Sequence, residues 1–176
     1  MNRELDLEQR CRRLIGLKVR TVQYYGNFRI FEKTHGVSKA IYWITAEDEI
    51  FRFGFEDEFS LRWGFGISVK KVGRIFPDDR EEEFRDATLL WKDSFVIKDV
   101  RLHWRYISDS RRVLWHHYSR SDYPQDLELI LSEGESIFIG ATEILDENKC
   151  KLFTNHLTVF FDAKQRERFY ENAILW

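Results

Sequence analysis

Apolar and polar positions alternate with a period of two along much of the chain, and this spacing is typical of half-buried β-strands. Phe51, Phe53 and Phe55 alternate with arginine and glycine, and the same alternation runs from Phe59 to Phe65 beyond an acidic turn at residues 56–58. Two alternating runs joined by a short turn predict a β-hairpin. One face of that hairpin is almost wholly aromatic, so we expect it to be buried or to bind another molecule.

Other strands are predicted on both sides of this hairpin. Before it, an extended run over residues 19–25 ends at a Gly26-Asn27 turn, and Phe28–Phe31 is predicted to return along it. After it, leucines alternate with other residues over 127–131, and a turn leads into a further alternating run over 137–142.

A hairpin is also predicted between Trp104 and Trp115, with a turn at Ser108–Ser110 and a return strand at Val113–Tyr118. The strand that enters it alternates as well. Its two predicted faces are Val96, Val100, Leu102 and Trp104 on one side, and Ile97, Asp99, Arg101, His103 and Arg105 on the other.

The two ends of the chain have the spacing of amphipathic helices. The first helix would be capped by Asn2 and would end at Gly16, and the second would be capped by Asp162. The predicted buried faces are Leu7, Cys11, Leu14 and Ile15 in the first helix, and Phe169, Tyr170, Ala173 and Ile174 in the second.

Together these patterns predict a mainly β fold, α+β by content, with antiparallel hairpins in two similar β-rich units and a helix at each end. Val19 falls on Ile97 and Phe51 on Leu129 at an offset of 78, so we consider an internal duplication. The 176 residues fit a single compact domain, 1–176. Its predicted parts are a first β unit (17–76), an acidic linker (77–90), a second β unit (91–161) and a C-terminal helix (162–176).

The composition is that of a globular protein, with 43% hydrophobic and 33% charged residues and a net charge of −2. No stretch approaches the roughly 20 apolar residues of a membrane helix, and the first residues lack the apolar core of a signal peptide. We therefore expect a cytoplasmic protein with no membrane association and no cofactor. Cys11 and Cys150 are expected to be reduced, although a disulfide between them is an open alternative.

Catalytic chemistry has one candidate grouping. His103, His116 and His117 lie near Asp126 in the predicted hairpin region and could form a hydrolase-like or metal-assisted site. Adjacent histidines point to opposite faces of a strand, so at most one of the pair could join His103. The surrounding arginines would also repel a cation, so no metal site is expected. The absence of a complete catalytic motif in the sequence favours a binding protein over an enzyme.

Binding chemistry is concentrated in residues 101–120, where five arginines and one aspartate, a net charge of +4, are interleaved with aromatic residues. Residues 78–100 carry four basic and eight acidic side chains, a net charge of −4. This complementarity favours a contact between these two segments within the chain, or contact with a charged partner protein or a second copy of the chain; single-stranded nucleic acid is the less favoured alternative. The candidate contacts are Trp104, Arg105, Arg111, Arg112, Trp115 and Arg120.

Overall fold

The computed structural model of the chain describes residues 3–56, 66–75, 84–91, 94–104, 106–109, 117–120 and 126–175. Its helices are α1 (Arg3–Arg12) and α2 (Ala163–Glu171), with a short 3-10 helix at Thr88–Trp91. The strands are β1 (Lys18–Tyr25), β2 (Phe28–Phe31), β3 (Thr34–Val37), β4 (Ala40–Thr45), β5 (Ile50–Glu56), β6 (Gly66–Val72), β7 (Phe84–Asp86), β8 (Phe95–His103), β9 (Tyr106–Asp109), β10 (His117–Arg120), β11 (Asp126–Leu131), β12 (Ser136–Asp146), β13 (Lys149–Phe160) and β14 (Ile174–Leu175).

The predicted mainly β fold is confirmed. Twelve of the described strands join one sheet with the order β2-β3-β13-β12-β11-β8-β1-β4-β5-β6, while β7 pairs with β1 and β14 pairs with β13. All of these pairings are antiparallel except that of β14 with β13. The sheet bends over its own inner face, so that β6 approaches β11, β12 and β13 across the core.

The inner face of the sheet holds the side chains that the alternation predicted. Phe51 and Phe53 are buried on β5, and the three leucines over 127–131 are buried on β11. β8 departs from the predicted alternation, because its pairing with β11 skips Lys98 and passes from Asp99 directly to Ile97. This β-bulge turns the side chains of the residues before it to the opposite face of the sheet from the one that simple alternation would give. Ile97 is therefore completely buried and does not share the outer face of Asp99, as had been predicted.

The two halves of the sheet share a strand order, but the predicted internal duplication is not confirmed. In the first half, β1 is followed along the chain by β2 and β3 and then pairs with β4, the first of the neighbouring strands β4-β5-β6. In the second half, β8 is followed by β9 and β10 and then pairs with β11, the first of the neighbouring strands β11-β12-β13. The predicted offset places Phe51 of β5 on Leu129 of β11. The strand order instead matches β5 with β12, so a constant offset of 78 does not describe both halves.

Two of the predicted hairpins are connected differently. β2 does not return along β1; it pairs with β3, which joins β13, and β1 pairs instead with β4. β5 pairs with β6 from Glu56↔Gly66 onwards, whereas the predicted return strand Phe59–Phe65 lies outside the described residues. Within the segment predicted as an acidic linker, β7 lies against β1 and is followed by the 3-10 helix.

The helices close the molecule on two sides. α1 buries Leu7, and Cys11 and Leu14 are buried beside it, but Ile15 is 43% exposed because the helix ends at Arg12 and the chain turns before β1. The turn ends at Gly16 with φ of +85°, as the sequence predicts. Neither helix of the described residues has the length and apolarity that a membrane crossing needs. Cys11 and the similarly buried Cys150 are both free thiols.

α2 covers the outer face of β12 and β13. The Asp162 side chain accepts hydrogen bonds from the backbone N–H groups of Lys164 and Gln165, which confirms the predicted N-cap. Phe169 and Tyr170 are buried as predicted. The helix nevertheless ends at Glu171, and Ile174 belongs to β14, which explains why its side chain is 48% exposed and not docked.

A relay of three polar groups crosses the aromatic core. Trp91 donates its indole N–H to Tyr24 Oη at 2.6 Å, and Tyr24 Oη lies 2.6 Å from His35 Nδ1. The tyrosine hydroxyl accepts the indole proton, and its own proton finds an acceptor in Nδ1 when the neutral imidazole carries its proton on Nε2. His35 is only 3% exposed. Burial lowers the pKa of His35 from 6.5 to about 4 and therefore keeps the ring neutral at pH 7.

Candidate functional site at the end of β8

The outer face at the end of β8 carries a hydrogen-bonded polar cluster centred on Glu128 of β11. Its carboxylate accepts a hydrogen bond from Ser136 Oγ at 2.8 Å and lies 2.9 Å from His103 Nε2. An Arg101 guanidinium nitrogen lies 4.0 Å from the same carboxylate. The cluster forms because Arg101 and Glu128 are register partners in the antiparallel pairing of β8 with β11.

The electrostatics of this cluster favour a charged glutamate. Burial alone would raise the pKa of Glu128, but the hydrogen bonds from His103 and Ser136 outweigh it, and the pKa is lowered. Arg101 remains 61% exposed, and its other acidic neighbour is Asp99 at 3.7 Å. The exposed guanidinium of Arg101 is therefore held beside the carboxylates of Asp99 and Glu128, while the Glu128 side chain itself is mostly buried.

The predicted pairing of His103 with Asp126 does not form. The two residues are register partners, but Asp126 is completely buried and is bound by Arg166 of α2, with nitrogen–oxygen distances of 2.7 Å and 3.1 Å. Although burial opposes it, this contact raises the pKa of Arg166. The Arg166 guanidinium also lies 4.8 Å from the centre of the Tyr170 ring. Asp126 thus anchors α2 to the sheet and does not orient His103.

The other candidate catalytic histidines are not brought to His103 by the described structure. His116 lies outside the described residues, and His117 is the first residue of β10. Among the described residues, no three His, Cys, Asp or Glu side chains converge as metal ligands. Glu128, which the sequence analysis did not select, replaces Asp126 as the partner of His103. The signal was present in the alternation, because Glu128 lies two residues from Asp126 and shares its face.

The inner side of the same strand end carries a small cavity. Trp104 is half-buried and, with Val100 and Leu102, faces α1 across a space of about 220 Å3. Glu8, Cys11 and Arg12 complete its wall. Drug-sized ligands occupy pockets of roughly 300–1,000 Å3, so this cavity has the size for a single inserted side chain.

Beyond this cavity the chain forms the predicted hairpin with a different register. β9 and β10 pair Tyr106 with Arg120 and Asp109 with His117. Ser108 and Asp109, predicted as a turn, therefore lie within a strand. In the part of the chain that the structure describes, this hairpin is a separate two-stranded sheet. Of the candidate contacts, Trp104 lines the cavity and Arg120 ends β10. Four others lie outside the described residues: Arg105, Arg111, Arg112 and Trp115.

A second cavity, of about 230 Å3, lies beside β13 and was not indicated by the sequence. The pairing of β12 with β13 passes from Ala141↔Leu157 to Thr142↔Leu152, which leaves residues 153–156 as a bulge on β13. Phe153 in this bulge is buried and has φ of +56°, a strained conformation for an aromatic residue. The alternation of the sequence contains no signal for this bulge, because its position depends on which strands pair.

Comparison of this chain with known protein families, with curated proteins and with solved structures found no match.

Proposed function

We propose that this protein is a non-catalytic binding protein that contacts a partner protein through the end of β8 and the hairpin β9–β10. The observation that carries the proposal is the separation of this hairpin from the main sheet in the described part of the chain. An isolated two-stranded hairpin is at best marginally stable in water. Packing against a partner surface would stabilise a hairpin of this kind.

The chemistry beside the hairpin supports a partner with an acidic surface and one protruding apolar side chain. Residues 101–120 have a net charge of +4, which favours association with negative charge. The cavity beside Trp104 has an apolar wall formed by Val100 and Leu102. Interfaces often place one large side chain in such a pocket near their centre.

Affinity capture from the native source tests this proposal with two matched variants. The Arg105→Ala/Arg120→Ala variant removes two of the candidate contact charges of the hairpin region, and Arg29→Ala/Arg85→Ala removes the same charge from exposed positions on β2 and β7. We expect a partner retained by the native chain and by the second variant, with at least about tenfold weaker binding to the first. Retention of the same proteins by both variants, or of none by the native chain, would refute the proposal.

Two related outcomes are separated by further measurements on the native chain. If the partner is a second copy, sedimentation will give twice the monomer mass of 21.4 kDa, and the hairpin variant will be monomeric. If the ligand is single-stranded nucleic acid, affinity for oligonucleotides will fall steeply with added salt. That second result would replace the protein partner by a different class of ligand.

A hydrolase-like function is the second candidate, and the hydrogen bond between His103 and Glu128 is the observation that favours it. A carboxylate that orients an imidazole is a common arrangement for a general base. We expect that His103→Gln would abolish hydrolysis of activated esters if the dyad acts in this way, while His156→Gln would not. Equal rates in both variants and in the native chain would exclude the dyad as a catalyst.

We further propose a cytoplasmic location and an ancestral duplication of the two halves. Two buried free thiols, Cys11 and Cys150, suit a reducing compartment, and cell fractionation tests this location.

The shared strand order of the two halves supports duplication. A chain related to this one that contains a single half would support duplication, and related chains with a different strand order in one half would contradict it.

A further inference from the structure

The strand β2 stands at one end of the main sheet and presents its outer edge to solvent. Within the described residues it pairs only with β3, in a regular register without a bulge. Arg29 is exposed, and Ile30 is 47% exposed although it is apolar. An edge strand with an exposed apolar residue and neither a proline nor a bulge is open to pairing with another chain.

The strand at the other end of the order is protected against such pairing. β6 carries the adjacent exposed lysines Lys70 and Lys71, and it lies against α1. Charged side chains and a covering helix are common means by which a sheet edge avoids other chains. The edge of β2 is therefore the more suitable of the two for contact with another strand.

The hairpin turn determines which backbone groups of β2 face outwards. Phe31 pairs with Thr34 across the two-residue turn between β2 and β3, so these two residues exchange both of their backbone hydrogen bonds. Bonded and non-bonded pairs alternate along an antiparallel ladder. Arg29 therefore also bonds to β3, whereas the N–H and C=O groups of Phe28 and Ile30 point away from it. These groups are available to a further strand.

We infer that a second copy of this chain adds its own β2 to this edge, so that two sheets join about a two-fold axis. An axis normal to the sheet passes through one residue, which then lies opposite itself. Centred on Arg29, the pairing would set two guanidinium groups directly opposite each other, which is destabilising. Centred on Ile30, it brings two exposed apolar side chains together and forms two backbone hydrogen bonds between the Ile30 residues.

The register centred on Ile30 also provides contacts for the charged residues of β2 and its turn. It sets Arg29 opposite Phe31 of the second copy, where the guanidinium group can lie over the aromatic ring. Glu32 follows Phe31, so its carboxylate comes within reach of the same guanidinium group. Arg29 and Glu32 are both exposed, and in the described part of the chain neither has an ion pair. The edge is therefore complementary to itself in shape and charge.

Sedimentation of the full chain at several concentrations tests this inference. A contact between two four-residue strands is small, so we expect a monomer at about 5 µM and a mass that approaches twice the monomer mass of 21.4 kDa at about 300 µM. Ile30→Lys sets two ammonium groups beside the axis and should weaken the dimer at least about tenfold. Ile174→Lys makes the same change at an isoleucine of β14 that is 48% exposed, and should leave the dimer unchanged.

Amide exchange measured by NMR locates the contact on β2. The Ile30 amide should gain protection as the concentration rises, while the Arg29 amide, which already bonds to β3, should not. Dispersed spectra of all variants at low concentration show that the fold persists.

Exchange of the two charges tests the register. Arg29→Glu should weaken the dimer, because it sets the new carboxylate beside Glu32 of the second copy. Arg29→Glu/Glu32→Arg restores opposite charges and should recover most of the affinity. An unchanged dimer in Arg29→Glu would overturn this register.

The same measurements separate this edge from the proposed partner surface on β8–β10. Arg29→Ala/Arg85→Ala should keep the captured partner but weaken the dimer. A dimer that persists in Ile30→Lys and is lost in Arg105→Ala/Arg120→Ala belongs to the hairpin, and overturns this inference alone. A chain that stays monomeric at about 300 µM also overturns it. If the Ile30 amide then gains protection only with the captured partner, the edge binds that partner and not a second copy.

Discussion

His35 should make the stability of this protein depend on pH in a range where most side chains do not titrate. In the folded chain its Nδ1 atom accepts the hydroxyl proton of Tyr24 at 2.6 Å, and the ring is buried beside Phe161. Protonation of Nδ1 would remove that acceptor and place a positive charge among aromatic side chains. The unfolded chain has no such restriction, and its histidine takes up a proton near the ordinary pKa.

The sign and size of the effect follow from the two pKa values. The pKa of His35 is about 4 in the folded chain and 6.5 without burial, so between these pH values the unfolded chain binds more protons. Stability is therefore complete above about pH 6.5 and falls as the pH decreases towards 4. The full difference corresponds to roughly 3 kcal/mol of unfolding free energy. About 2 kcal/mol of it is already lost at pH 5.

The assay is urea unfolding of the native chain and of His35→Asn between pH 7.5 and 4.5. Asparagine retains an acceptor oxygen close to the position of Nδ1 but does not titrate, so this variant should lack the histidine part of the pH dependence. His156→Asn, which changes a half-buried histidine outside the relay, should retain it. A native chain and His35→Asn with parallel stability curves would refute the reasoning, as would an NMR titration that places the His35 pKa near 6.5.

Three further predictions concern the attachment of α2, and each is checked by chemical or thermal unfolding. Arg166→Met leaves the buried Asp126 carboxylate unpaired and should lower the unfolding free energy by about 3–5 kcal/mol; an unchanged midpoint would contradict a structural role for this pair. Gly140→Ala places a Cβ atom 2.7 Å from Tyr170 Oη and should lower the unfolding free energy by about 1–3 kcal/mol; a variant as stable as the native chain would contradict this close packing. Asp162→Ala removes the N-cap and should lower the unfolding free energy by about 1 kcal/mol, whereas Asp162→Asn should lower it much less because asparagine can also cap the helix.

Part of the candidate site could be read from the sequence, and part could not. Alternation correctly placed Arg101 and His103 on one face of β8, because side chains of a strand point to opposite faces in turn. The partner of His103 depended on which strand pairs with β8 and in which register. Asp126 and Glu128 were equally available in the sequence, and α2 decided between them, because Arg166 occupies Asp126 and leaves Glu128 beside the imidazole.

The sequence by itself determined the clearly alternating strands such as β5 and β11, the N-cap of α2 and the apolar side of most elements, because these depend on neighbouring residues and on the two-residue repeat of extended chain. Only the tertiary structure decided the pairing of β2 with β3, the bulge at Lys98 and the cavity beside β13. Each of these depends on contacts between residues far apart in the chain. Local spacing contains no information on such contacts, so burial and register can be assigned only when the whole sheet is assembled.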